Sequence, residues 1–345
     1  MNLIFSNKIV SLKINQQYIA DLLKISRVTV TKALQEHPDI AKSTIKKVKE
    51  AADELGYIPN IVGRSLSTKK TNTIGLIVPK INHSFFSTII EEMYTKAKTL
   101  GYQIILMVSF ENEESELNNV KSLLSMNVDG IIIDSVSTSA KDKSYELILK
   151  HKKPLIYIDR KPRSIKKAES IVFDDFNLSY KLTNRLIDKG YKDIMYITGS
   201  EEINICYDRL SGFKSAMNDA SLNVPKKWFL KAGLDKKTSY KVFQEHLENN
   251  SILPQVIICV NDSVALGVYE ACEKHQIKIP DDISIVGFGH LNISNLVQPP
   301  LSTVKLDLQK ASFVAVEKLV AMINDQPYEK NNIIGGEIIF RESVK

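Results

Sequence analysis

Gln17-Tyr18-Ile19-Ala20-Asp21-Leu22-Leu23-Lys24-Ile25-Ser26-Arg27-Val28-Thr29-Val30-Thr31-Lys32-Ala33-Leu34-Gln35 holds two short amphipathic segments, 17–23 and 27–35, joined by the turn Lys24-Ile25-Ser26. Ile19, Ala20, Leu22 and Leu23 make one apolar stripe, and Val30, Ala33 and Leu34 share a helical face by the three- and four-residue spacing. Ser26 is placed to cap the second segment, its hydroxyl meeting a free backbone N–H. The opposite face carries Arg27, Val28, Thr31 and Lys32. In a helix-turn-helix the start of the second helix enters the major groove, so Arg27 and Val28 are the first candidates for base contact. Lys32 reaches a guanine edge or a phosphate from the next turn, and Thr29 and Thr31 offer hydroxyls to phosphate.

An ordinary helical hairpin with solvated lysines has the same pattern, so the next segment matters. Ile45, Val48, Ala52 and Leu55 recur at helical spacing and would cover the first two helices; Gly56 stops this third helix and Pro59 prevents its restart. The charge agrees. Residues 1–72 carry 12 Lys/Arg against 6 Asp/Glu, whereas residues 73–345 carry 34 of each. The positive excess of the chain therefore lies on its first fifth, as expected when one module meets phosphate and the rest does something else.

A length of 345 residues points to two or three domains. With 43% hydrophobic and 25% charged residues the composition is that of a globular protein. Cys206, Cys259 and Cys272 are odd in number and lack CxxC spacing, which suits a reduced cytoplasm and buried thiols. Met1-Asn2-Leu3-Ile4-Phe5 is interrupted by Asn7 and Lys8 and does not read as an export signal, and no apolar run spans a membrane. Residues 1–12 are an extension of unassigned role.

The pattern Ile19-Ala20, Ser26, Thr29-Val30, Ala33-Leu34, then Ala51-Ala52, Leu55-Gly56-Tyr57, Pro59-Asn60 and Arg64-Ser65-Leu66 resembles the lactose-repressor (LacI/GalR) family of bacterial transcription regulators. The likeness continues through Ile74-Gly75-Leu76-Ile77-Val78-Pro79 and runs from about residue 14 to the end. It implies that Tyr57 and Asn60 touch the DNA backbone. It also implies that 61–66, with Arg64, form a hinge helix whose Leu66 wedges into a base step of the minor groove, unstacking it at a cost of a few kcal/mol. Two departures stand out: Lys24 replaces the family's small turn residue, and Gly63 replaces its usual alanine, at roughly 1 kcal/mol in a helix interior.

Beyond Lys70, strand-like runs at 74–78, 103–108, 130–134, 155–158, 194–197, 256–260 and 284–287 alternate with helical stretches such as 86–100 and 178–189. This is the signature of doubly wound parallel α/β units. Ligands of such sheets bind beyond the carboxyl ends of the strands, which singles out His83, Phe85, Phe86, Ser109, Asp134, Asp159, Arg160, Asn261 and His290, with Arg209 on a helix facing the same cleft. The resemblance implies two subdomains joined by three crossovers, as in periplasmic sugar-binding proteins, with Asp134, Asp159, Arg209 and Asn261 hydrogen-bonding an effector. Carboxylates, an amide and a guanidinium beside aromatic rings suit a sugar. Each residue has a structural alternative. Arg209 also reads as a salt-bridge residue and Phe86 as core; Asp262 reads as a helix cap rather than a contact. The family's Val-Gly-Phe-Asp-Asp becomes Val286-Gly287-Phe288-Gly289-His290, and its Asn-Pro before the two phenylalanines becomes His83-Ser84, which leaves phosphosugars, nucleobase-like ligands and other polar metabolites open. His290 is either a contact or a rim histidine.

An enzyme is not expected. No dinucleotide, P-loop, nucleophile-elbow or zincin motif is present, Gly287-Phe288-Gly289 being a fragment of the first, and the six histidines lack metal-ligand spacing. Neither cofactor nor metal is expected. A sugar-binding protein of periplasmic type would not carry residues 17–66, and a regulator controlled by another protein stays open. The expected architecture is an all-α helix-turn-helix headpiece plus an α/β core of two doubly wound parallel sheets. Its divisions are an extension over 1–12, the headpiece over 13–58, a hinge over 59–72 and a core over 73–345. Within the core, 73–160 with 291–321 form one subdomain and 161–290 with 322–345 the other. The expected partners are double-stranded DNA with a near-palindromic operator, a small effector of carbohydrate type and a second copy of the chain, without a membrane.

Overall fold

The computed structural model describes residues 14–58, 70–137, 142–165, 167–250, 252–330 and 333–345. The extension over 1–12, Gly63, the hinge helix over 61–66 and its expected contacts Asn60, Arg64 and Leu66 lie outside them. The chain divides into Met1–Thr71 and Asn72–Lys345.

In the first unit the helices are Gln16–Leu23, Arg27–Leu34 and Lys42–Glu54. Ile19, Ala20, Val30, Ala33 and Val48 lose all contact with water at their junction, with Ile45 and Leu55 packed around them. Side chains terminate the first two helices: Asn15 accepts from the Tyr18 N–H, and Ser26 accepts from the Thr29 N–H at 3.0 Å. Lys24 takes the left-handed conformation (φ 51°), and the turn still closes, the Ile25 N–H donating to the Ala20 carbonyl at 3.0 Å. The left-handed backbone costs a non-glycine residue on the order of 1 kcal/mol, which burial of Ile19 and Val30 offsets. Gly56 (φ 63°) ends the third helix without that cost.

The second unit is built on two all-parallel sheets. The first has the order β11-β5-β4-β3-β1-β2, from β1 (Thr73–Val78), β2 (Gln103–Val108), β3 (Gly130–Ile133), β4 (Leu155–Ile158), β5 (Ser170–Phe173) and β11 (Ile333–Ile334). The second has the order β7-β6-β8-β9, from β6 (Ile194–Thr198), β7 (Phe229–Lys231), β8 (Val256–Cys259) and β9 (Ser284–Val286). Strands β1, β3, β4, β6 and β8 are buried almost throughout, which explains their continuous apolar runs. The division expected between residues 160 and 161 differs from the sheets. Strand β5 pairs with β4 (Tyr157 opposite Ser170), and β11 pairs with β5, so segments on both sides of that division complete the first sheet. The chain crosses between sheets after β5, after β9 and after β11, where Ser343 returns to bond Ile285.

A close helix pair stabilises the second sheet's flank. In helix Asn204–Asp219, Gly212 lies so near helix Asp175–Asp188 that an added Cβ would overlap the Phe176 carbonyl oxygen and stand 3.0 Å from the Tyr180 nitrogen. Backbone cannot give way as a flexible side chain can. Gly212→Ala should therefore destabilise the full chain by about 1–3 kcal/mol in denaturant unfolding, and an unchanged midpoint would contradict this packing.

Candidate functional site

Two places have the geometry of a site. In the first unit, Arg27 and Val28 stand exposed at the start of the second helix, Val28 with 65% of its surface in water. An exposed valine on a capped N-terminal turn gains nothing for folding. The neighbouring candidates are already engaged. Ser26 caps the helix and shares a hydrogen bond with the Thr29 hydroxyl (2.9 Å), the Thr31 hydroxyl donates to Gln16 and to the Arg27 carbonyl, and Lys32 pairs with Asp39 at 3.1 Å. Tyr57 packs half-buried against the headpiece core.

The second place is the cleft beyond the carboxyl ends of the two sheets. It holds about 530 Å³ of empty space including its open mouth. His83, Phe85, Phe86, Asp159, Arg160, Arg209 and Asn261 line it, as expected from the strand ends. Ser109, Asp134 and His290 do not. Ser109 is buried, its hydroxyl on the Val78 carbonyl; Asp134 is buried behind Arg160, 3.7 Å from Nε; His290 meets Arg341 at 3.1 Å and lines a separate groove with Lys305 and Glu337. Residues just after a strand alternate in direction, so position after the strand does not decide which side chain reaches the opening.

Arg209 is 3% exposed and held by three contacts. Its Nε donates to Asp175 (2.7 Å), its Nη1 to the Val260 carbonyl (2.7 Å), and its plane lies 3.9 Å from the Phe288 ring centre. Burial pushes the Asp175 carboxyl up to about 7, with the guanidinium pulling the other way. The salt-bridge reading of Arg209 is realised while its side chain also lines the cleft, and Asp175 is a partner that sequence reading missed because the strand it follows, Ser170–Phe173, was not among the strand-like runs read from the sequence. Asn261 lines the cleft with its amide already used, Oδ1 capping the next helix at Val264 and Nδ2 on the Leu234 carbonyl. Here the expectation for Asp262 is corrected. Asn261 is the cap, and Asp262 lies buried in the first turn, accepting from the Leu291 N–H (2.8 Å), Thr303 (2.6 Å) and Ser294 (2.5 Å). It ties the helix to the crossover segment.

Asp159 adopts φ 57° and is buried with Oδ1 unpartnered among the described residues, an arrangement a cleft ligand can relieve. Arg160 follows, also buried, its guanidinium 5.6 Å from the Phe86 ring and bonded to Glu111 at 2.8 Å. Glu111 and Lys80 also line the cleft, three residues past β2 and two past β1, although neither was singled out from sequence. His83 bridges the walls: Nε2 meets the Ser263 hydroxyl at 2.9 Å across the cleft. Gly289 occupies the lining where the family's aspartate is expected, with φ 115°, a backbone an L side chain rarely adopts. Among the described residues no cluster has metal-ligand geometry, and no helix is long and apolar enough to cross a membrane.

The comparisons with known proteins fit both places. Residues 17–60 match the family described as bacterial regulatory proteins of the lacI family, and residues 71–335 match that of periplasmic binding proteins and the sugar binding domain of the LacI family. The chain belongs to the LacI family. The transcriptional repressor PurR of Vibrio parahaemolyticus is 30% identical over 329 residues, covering 95% of this chain and 97% of the relative. The transcriptional regulator RegA of Clostridium saccharobutylicum is 32% identical over 322 residues, covering 93% and 96%. Among solved structures, the Lac repressor dimer bound to operator and the anti-inducer ONPF shares the fold with a TM-score of 0.85 at 21% identity, covering 96% of this chain and 99% of that one. This LacI-family chain is a DNA-binding transcription regulator with an effector-binding domain, and its relatives are regulators rather than enzymes.

Two consequences of the cleft can be measured. Asp175→Ala leaves the Arg209 guanidinium buried without its ion partner and should cost about 3–5 kcal/mol in urea unfolding of the full chain. His83 is held neutral, its pKa lowered to about 4 by burial first and then by Lys80 and Arg160. The unfolded chain takes up that proton near 6.5, so this group favours unfolding as pH falls through 6.5 toward 4. Relative to a His83→Asn variant, the unmodified protein should lose on the order of 1 kcal/mol between about pH 7 and about pH 4.5, allowing for partial exposure. Parallel pH slopes for the two proteins would count against a neutral, buried His83.

Proposed function

We propose that this regulator is a homodimeric repressor of the cytoplasm that binds a near-palindromic operator and is controlled by a small polar ligand, a sugar or sugar derivative, in the cleft. A two-fold dimer reads two related half-sites. In each headpiece Arg27 and Val28 enter the major groove, with Lys32, Ser26, Thr29, Thr31 and Tyr57 holding the backbone. Thr31 and Lys32 must exchange their internal partners for phosphate, a trade between bonds of similar strength. Asn60, Arg64 and Leu66 are assigned the backbone and minor-groove contacts of the hinge on the family resemblance.

The observation that carries the ligand reading is the cleft lining. Buried polar groups, Asp159, Arg160 and Arg209, stand beside the rings of Phe85, Phe86 and Phe288, the mixture that satisfies hydroxyls and covers apolar ring faces. Ligand that separates or seats the walls must exchange the His83–Ser263 bond, and so distinguishes an open from a closed arrangement. Any ligand that prefers one arrangement shifts DNA affinity reciprocally.

The test has two arms. Operator sites selected from random duplexes should be near-palindromic, and Arg27→Ala should relax preference at one position per half-site by ~1–3 kcal/mol; a uniform loss on every sequence would reassign Arg27 to phosphate. A panel of sugars and sugar derivatives, screened by thermal shift, should yield a compound whose shift disappears in Arg209→Lys. A compound that shifts both proteins equally places its site elsewhere.

A further inference from the structure

We infer that Lys80 and Arg160 form an anion subsite at the mouth of the cleft, that Glu111 is an internal carboxylate filling it, and that the effector is a polyol bearing a phosphate or carboxylate. The inference rests on the cleft being the effector site and adds to it the ligand's charge and the residue it displaces.

Arg160 is the starting point. Its side chain is 8% exposed, so its charge needs oxygens supplied from within. The nearest carboxylate on a fixed strand end is Asp134, 3.7 Å from Nε and too far to hydrogen-bond. Arg160 Nε and both Asp134 oxygens have no hydrogen-bond partner among the described residues. Glu111 supplies what Asp134 does not, its two oxygens at 2.8 and 3.5 Å from Nη1 and Nη2, while Oε1 lies 3.5 Å from Lys80. One carboxylate therefore bridges two cations, the geometry that a ligand phosphate or carboxylate reproduces with its own oxygens.

Glu111 differs from a permanent structural counter-ion in how it is held. Its side chain is 32% exposed, at the end of β2 rather than within a packed element. Phe110 (φ 54°) and Glu111 (φ 56°) are successive left-handed residues, neither a glycine, and Phe110 has 74% of its surface in water. The turn has its own backbone bond, the Asn112 N–H donating to the Ser109 carbonyl at 3.0 Å, so the Glu111 side chain can exchange partners without unmaking it. The guanidinium keeps its orientation in the exchange, since it lies 5.6 Å from the Phe86 ring centre and Phe86 is 3% exposed. Burial first, and Asp159 next, push the Asp134 carboxyl well above the usual range, so it repels an incoming anion less than a free carboxylate would.

Calorimetry on the full chain at fixed ionic strength tests this, with inorganic phosphate and gluconate as probes. Glu111→Gln should bind at least one probe about tenfold more tightly than the unmodified protein, and adding Lys80→Gln should reverse most of the gain. A gain for phosphate alone assigns a phosphoester, and a gain for gluconate alone assigns a sugar acid. Glu111→Ala should reproduce the gain, so a folding failure of one variant does not remove the test. If neither variant gains for either probe, or the gain ignores Lys80, the anion subsite is wrong. A neutral sugar that still gives an Arg209-dependent thermal shift would then leave the cleft reading standing without it.

Discussion

Arg209 imposes the constraint on which the effector-binding core depends. A guanidinium 3% exposed must find its counter-charge and hydrogen bonds inside the protein. It takes a carboxylate from helix Asp175–Asp188, a carbonyl from the end of β8 and a ring face from the segment after β9. Three stretches far apart in sequence are fixed relative to one another by that one group. The two helices can then approach closely, which is why Gly212 has no room for a side chain.

From Arg209 the alternation of charge continues toward the first sheet through Asp159 and Arg160 to Glu111, so both walls of the cleft belong to one electrostatic set. Each member influences the next in a medium that screens poorly.

The headpiece works by different physics. Its core is small, centred on Ile19, Ala20, Val30, Ala33 and Val48 among the described residues, and its first two helices are short, so side-chain caps at Asn15 and Ser26 carry a larger share of the stability. The same compactness engages Thr31 and Lys32 internally and leaves Arg27 and Val28 outward. Lys24 shows that the usual glycine or asparagine of the turn is a preference and not a requirement, since the hydrophobic junction it closes outweighs a local left-handed cost.

Much of this was legible without coordinates. Helical periodicity located all three headpiece helices, because a small amphipathic element writes its buried face directly into residue spacing. Buried parallel strands likewise declared themselves as apolar runs, and their carboxyl ends pointed to His83, Asp159, Arg160 and Asn261. What spacing cannot express is side-chain direction and long-range partnership. Asp134 and Ser109 follow strands as Asp159 does, yet face the interior, and β5 joined the first sheet because pairing depends on neighbours distant in sequence. Asn261 and Asp262 differ by one position, and the helix's first turn alone determined which became the cap. The sequence by itself determined the element types, the headpiece and the family, since these rest on local periodicity and composition. Only the tertiary structure decided that Asp175 neutralises Arg209, that Glu111 occupies Arg160 and that His83 spans the cleft, because each is a low-dielectric pairing between segments that only folding brings together.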